Sequence, residues 1–209
     1  MFRNNIKFYL VIVLCLCGIV LSAGLVMWIF NRDGRSGNAS SNVSKYASWA
    51  ERVTIDPGVL YQVTDVVDGD TIKTLVAGHE ITVRLLGINT PETVDPRKSV
   101  ECFGPEASVE TKSLLSGKSV LLALNPNYER TDKYGRLLAY VRLADPNDVA
   151  TVDLFVNEFL VKEGYAYEYT FNASNPYQYQ TSFKADESQA KSAKKGLWGK
   201  CVSVGQKAN

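Results

Sequence analysis

Between Val59 and Leu86 the chain carries three short runs rich in β-branched residues, separated by two tight turn signals. This spacing restricts the fold more than any other feature of the sequence. Val59–Val67 alternates in part between apolar and polar residues, and Asp68-Gly69 follows it as a hairpin signal. Thr71–Val76 reads as the returning strand. Gly78-His79 turns the chain again, and Ile81–Leu86 reads as a third strand. Three strands joined so tightly form a meander.

The pattern then changes period. Gly104-Pro105 opens a helix predicted to run to Ser116, with Glu106 early in it, where negative charge suits the helix N-terminus. Ser119–Leu124 and Leu137–Leu143 read as two more strands. Val152, Phe155, Val156, Phe159 and Leu160 are spaced as one face of a helix over Val152–Glu163, which stops at Gly164. Phe183–Lys195 is a more polar helical stretch ending at Gly196. The expected class is α+β, mainly β: a five-stranded barrel of the oligonucleotide-binding (OB) type with about three helices.

The N-terminus does not belong to that barrel. From Phe8 to Phe30 there are 23 uncharged residues, preceded by Arg3 and Lys7 and followed by Arg32. At about 1.5 Å per residue this run spans a hydrocarbon layer of roughly 30 Å, and it exceeds the roughly 7–15 residues of a signal-peptide core. A transmembrane anchor is the expected reading; a cleaved signal, with Ser22, Ala23 and Gly24 as the small residues, is the alternative. Residues 31–50, rich in Asn, Ser, Gly and Ala, read as a flexible linker. The expected organisation is an anchor or signal at 1–30, the linker at 31–50, one domain at 51–202 and a tail at 203–209. This places the domain outside the cytoplasm, tethered to the membrane or secreted.

Charge excludes one class of function. Six of the 23 Lys and Arg and three of the 22 Asp and Glu precede residue 59, leaving 17 basic and 19 acidic residues, a balance of −2. A domain that grips nucleic acid by bulk positive charge does not look like this. The single histidine, His79, argues against histidine-based phosphodiester cleavage and multi-histidine zinc sites. Chemistry on a polyanion would therefore rest on carboxylates, a hard cation and a few placed arginines.

Three segments supply that set: Asp68-Gly-Asp70-Thr71, Arg84-Leu-Leu-Gly-Ile-Asn89-Thr90-Pro91-Glu92 and Thr131-Asp-Lys-Tyr-Gly-Arg136. Individually they have plainer readings: Asp68-Gly69 as a hairpin turn, Arg84 as a charge on a solvated strand face, and the Asn89–Glu92 and Asp132–Gly135 loops as ordinary turns. Asp70 follows a hairpin turn, where its carboxylate can face a cation. Pro91 stiffens the loop that presents oxygens from Asn89 and Thr90. Arg84 and Arg136 can each give a phosphate two parallel hydrogen bonds.

The order and spacing of these segments, with Phe103-Gly-Pro-Glu-Ala-Ser108, Leu138-Ala-Tyr140 and Leu197-Trp198, resemble the thermonuclease, or staphylococcal-nuclease-like, family across 59–199. The resemblance implies a calcium-dependent nuclease on an OB barrel, cutting DNA and RNA and leaving 3′-phosphates. It implies that Asp70, Asn89 and Thr90 hold calcium, that Glu92 is the general base, and that Arg84 and Arg136 bind phosphate. Asn89 departs from the family pattern, which has aspartate there; one charge is lost, and weaker calcium binding is expected. The resemblance also points to tyrosine stacking on a base, with Tyr169 the candidate among Tyr165, Tyr167, Tyr169, Phe171, Tyr177 and Tyr179. With helices placed as in the family, the C-terminus returns toward the loop before Gly104, and Cys102 and Cys201, an even pair outside the anchor, suggest a disulfide. The alternatives are a module of the same fold that binds nucleic acid without cutting, and a membrane-tethered protein-interaction domain.

Overall fold

The structure, a computed structural model, describes residues 49–202 except 98, 146 and 147. The expected anchor, nearly all of the linker and the tail lie outside the described residues. Among the described residues no helix is long and apolar enough to cross a membrane.

The meander is β1 (Leu60–Asp68), β2 (Thr71–Val76) and β3 (His79–Leu85). Two more strands, β5 (Ser119–Ala123) and β6 (Leu137–Asp145), complete the barrel. β1 pairs with β5, β5 with β6, and β6 returns parallel to β3 through Val83↔Leu137, Arg84↔Leu138 and Leu85↔Ala139. That last pairing closes the five strands on themselves and removes the open edges that a five-stranded sheet would leave. The interior holds Val63, Val66, Ile72, Val83, Leu85, Leu122, Leu137 and Val141, all buried. Each such side chain contributes roughly 1.5–3 kcal/mol of burial.

Two irregularities in β1 matter for the site. The β1–β2 register slips between Val63 and Asp65 and again between Val66 and Asp68. Tyr61 and Val63 face inward, then Val66 and Asp68 do, so the bulges change which alternate residues are buried. The strand consequently ends with a carboxylate turned in rather than out.

One expectation is corrected. Val152–Phe155 is strand, not the first turn of a helix: β7 (Asp148–Phe155) pairs antiparallel with β6 on the outside of the barrel. The apolar spacing that suggested helix belongs to two elements in succession. The helix α3 begins only at Val156 and runs to Lys162. Buried Asn157 on α3 accepts from the Val141 N–H at 2.8 Å and donates to Leu86 O at 2.9 Å, tying the helix to β6 and to the residue that follows β3.

The other helices are α1 (Trp49–Arg52), α2 (Gly104–Leu115), α4 (Gln180–Ser192) and α5 (Leu197–Lys200). A two-stranded pair, β4 (Ile88–Asn89) with β8 (Tyr167–Glu168), stands beside the exit of β3. Neither of these short strands carries a readable period in the sequence.

Candidate active site

The β1–β2 turn and the segment leaving β3 meet at Asp70. Asp70 is the second residue of the two-residue turn between Asp68 and Thr71. Gly69 beside it keeps a negative φ; here glycine serves close approach, since a Cβ would lie 2.8 Å from the Thr90 side chain. That contact lets the Thr90 N–H donate to Asp70 Oδ2 at 2.9 Å, while Thr71 Oγ1 donates to Oδ1 at 2.9 Å.

Arg84, at the end of β3, completes the cluster. Its Nη2 lies 2.9 Å from Asp70 Oδ2 and donates to Asn89 Oδ1 at 2.7 Å. Its Nη1 donates to Leu85 O at 2.6 Å and Ile88 O at 2.9 Å. Three hydrogen bonds and one ion pair thus occupy both terminal nitrogens within the protein, and Nε–H stands outside this set. The charged residue in the apolar run therefore faces inward, and its burial is matched by bonds.

Asn89 is held from both sides. Its oxygen faces Arg84, and its amide nitrogen donates to the Tyr167 hydroxyl and, at 3.3 Å, to Thr90 O. The pairing Asn89↔Tyr167 between β4 and β8 brings the ring there, and burial pushes the Tyr167 hydroxyl up in pKa. Tyr169, by contrast, is 46% exposed, with its N–H on Gly87 O at 3.0 Å. Sequence reasoning included Tyr167 only in a string of aromatics. Its spacing two residues from Tyr169 did not reveal which of the two β8 would pair against Asn89.

Glu92 sits two residues beyond Thr90. Its Oε1 accepts from the N–H groups of Thr93, Val94 and Asp95 at 3.0, 2.9 and 3.0 Å, which fixes the carboxylate and leaves Oε2 outside this set of bonds. Thr93 in turn donates through Oγ1 to Asp68 Oδ1 at 2.6 Å, joining the Glu92 loop to the end of β1. Asp68 is a site residue to which the motif reading assigned no role. Burial raises its pKa most, hydrogen bonds from Thr93 and Gly69 oppose the rise, and the charges of Asp70 and Glu92 add to it.

Arg136 is placed separately, one residue before β6 and close in register to β3. Its Nε and Nη2 lie 2.7 and 2.6 Å from Asp132 Oδ2, and Asp132 Oδ1 also accepts the Tyr134 and Arg136 N–H groups. Among the described residues no hydrogen bond or ion pair joins Arg136 to Asp70, Arg84 or Glu92, so the three motif segments converge only in part. Cys102 and Cys201 are bonded, closing a sequence separation of 99 residues.

Asp70 and Thr90 present oxygens together at the turn, and the carboxylates of Asp68 and Glu92 lie on the adjoining segments, close enough for their charges to act on one another. Thr90 is 4% exposed, and its Oγ1 is buried without a hydrogen-bond partner. An all-oxygen set with an orphaned hydroxyl and mutually repelling carboxylates fits a hard cation. Among the described residues no three acidic, histidine or cysteine side chains gather as a ready metal cage. Part of any coordination shell would accordingly come from Thr90 oxygens and water.

A closed five-stranded barrel with a carboxylate–arginine cluster at a strand turn has the architecture of an OB-fold protein. Residues 82–200 match the family described as staphylococcal nuclease homologue. The chain belongs to that family. It is 38% identical over 138 residues to a thermonuclease of Staphylococcus hyicus, covering 66% of this chain and 75% of that one. It is also 42% identical over 137 residues to the SPbeta prophage-derived endonuclease YokF, and 39% identical over 137 residues to the endonuclease YncB, both of Bacillus subtilis (strain 168). Each match covers 64% of this chain, and the matched parts are 42% of YokF and 59% of YncB, so this chain spans about half the length of those two relatives.

Proposed function

We propose that this chain is a calcium-dependent nuclease that hydrolyses phosphodiester bonds of DNA and RNA and leaves 3′-phosphates. The observation that carries the reading is the single hydrogen-bonded unit of Asp70, Arg84, Asn89 and Thr90, with Glu92 oriented two residues away. Names of relatives that include thermonuclease and endonuclease support it.

Asp70 and Thr90, with Asn89 at the edge, would hold the ion. Bound calcium supplies positive charge that offsets the charge growing on the phosphate and on the attacking oxygen. Glu92 takes a proton from water through Oε2, since Oε1 is occupied by three backbone donors. Arg84 approaches phosphate with the donor outside its internal bonds, Nε–H. Arg136, held on Asp132, keeps Nη1 outside those bonds and offers a second cation from the neighbouring strand. Fixed donors of this kind stabilise the equatorial oxygens as charge accumulates. Tyr169, half exposed, is the candidate for stacking on a substrate base.

The apolar run Phe8–Phe30 would hold this domain at a membrane, outside the cytoplasm; if it is cleaved, the domain is secreted. The Cys102–Cys201 bond supports the oxidising side of a membrane. The test is digestion of single-stranded DNA and RNA by the full chain with calcium, with magnesium and with chelator. Cleavage in calcium alone is expected, with weak turnover in magnesium. Binding without cutting in all three would instead assign a non-cleaving module of the same fold.

A further inference from the structure

Glu101 closes on Glu92 from both directions. The Glu92 N–H donates to Glu101 Oε2 at 3.0 Å, and the Glu101 N–H donates to Glu92 O at 2.9 Å. Both backbone polar groups of Glu92 are therefore taken by one residue nine positions away. The intervening loop begins with the three N–H groups on Glu92 Oε1, so the backbone of Glu92 is fixed from one side and its carboxylate from the other.

Glu101 itself is pinned. Cys102, the next residue, is bonded to Cys201 near the last helix. Two residues on, Gly104 starts α2 and donates its N–H to Glu101 O at 3.0 Å. A Cβ on Gly104 would stand 2.6 Å from the Thr93 side chain, 3.0 Å from Pro91 O and 3.1 Å from Glu92 O. The helix start thus packs directly on the backbone of Glu92 and its neighbours, and only a glycine allows that approach.

We propose that Glu101 is a positioning residue for Glu92: its carboxylate holds the Glu92 amide, and the disulfide and the α2 start hold Glu101. This rests on the nuclease reading, in which Glu92 accepts a proton from water. Glu101 does not touch the reacting atoms. It sets where the base stands, and misplacement of a base by about 1 Å costs up to roughly 10²-fold in rate.

Two variants separate this from a general loss of structure. Glu101→Met keeps the length of the side chain and removes the acceptor. Glu101→Gln keeps an oxygen that can accept the Glu92 N–H. The full chain with Glu101→Met should lose about tenfold in kcat with KM for single-stranded DNA nearly unchanged, the size of effect seen when orienting partners are removed. Glu101→Gln should stay close to wild type. If Glu101→Met does not fold, Glu101→Ala supplies the same comparison.

A second readout does not depend on cleavage. Hydrogen exchange of the Glu92 amide, followed by NMR, should accelerate in Glu101→Met and stay protected in Glu101→Gln. Wild-type protein that fails to cleave would count against the nuclease reading, while the exchange measurement still decides the clasp. Unchanged kcat and unchanged Glu92 exchange in Glu101→Met overturn the proposal. So does a rise in KM alone, or an equal kcat loss in Glu101→Gln, which would make charge rather than the hydrogen bond the operative feature.

Discussion

Arg84 Nη2 and Asp70 Oδ2 lie 2.9 Å apart with their side chains only 11% and 9% exposed. The same guanidinium also serves Leu85 O, Ile88 O and Asn89 Oδ1. A pair this buried is costly to break from one side, because the survivor keeps its desolvation penalty without its partner. Arg84→Ala should therefore destabilise the fold by about 3–5 kcal/mol as well as abolish turnover. Urea unfolding of wild type and variant measures it. A loss below about 1 kcal/mol, the scale of an exposed pair, would show that Arg84 is not structurally engaged.

Glu92→Gln and Arg136→Ala are expected to behave differently from Arg84→Ala. Glu92 lies on a loop, and Arg136 is bonded to Asp132 on the surface of the site rather than in the core. Each substitution should lower turnover by at least about 10²-fold, the low end for a general base or a single charge-stabilising donor. Circular dichroism should show both variants folded. Near-normal cleavage by a folded variant would remove that residue from its proposed role.

Reduction should weaken the domain. The Cys102–Cys201 bond closes a separation of 99 residues, which in the chain-entropy model is worth at most about 4–5 kcal/mol. Thermal unfolding with and without reductant checks the direction. Equal midpoints would mean that the unfolded chain gains nothing from losing the link.

The strands of the meander were legible because each is short, β-rich and bounded by turn residues. The second turn falls one residue earlier than Gly78-His79: Ala77 and Gly78 take positive φ, and His79 already pairs with Val76 as the first residue of β3. Gly69 shows the limit of that reading: the Asp-Gly signal located the turn, but the glycine answers to Thr90, a residue 21 positions away. β7 was hidden because the residues on either side of Phe155 share an apolar spacing that suits one helix as well as a strand followed by a helix. At the site, Asp70, Arg84 and Thr90 could be read as motif residues. Their mutual bonding, and the partnerships of Asn89 with Tyr167 and of Glu92 with Glu101, depend on long-range pairing that no local period encodes.

Asn89→Asp should strengthen calcium binding and lower the calcium concentration for half-maximal cleavage. The substitution replaces an amide by a nearly isosteric carboxylate beside Asp70, and added charge at close range strengthens attraction to a divalent ion. The structure introduces a competitor, since Arg84 Nη2 already donates to the Asn89 oxygen at 2.7 Å. A carboxylate at 89 would hold that guanidinium more tightly. It would still keep a second oxygen, in the place of the amide nitrogen that now donates to Tyr167 and Thr90 O. The Tyr167 hydroxyl can reverse and donate to that oxygen, whereas Thr90 O cannot. Repulsion between Thr90 O and the new oxygen would be relieved by a cation placed between them. Repulsion from Asp68, Asp70 and Glu92 in the ion-free form acts in the same direction, because the ion removes it. These terms together favour binding over the tighter hold on Arg84. Calcium titration by calorimetry on both proteins decides the matter: an unchanged or weaker affinity in Asn89→Asp would place position 89 in the service of Arg84 alone, outside the ion's shell.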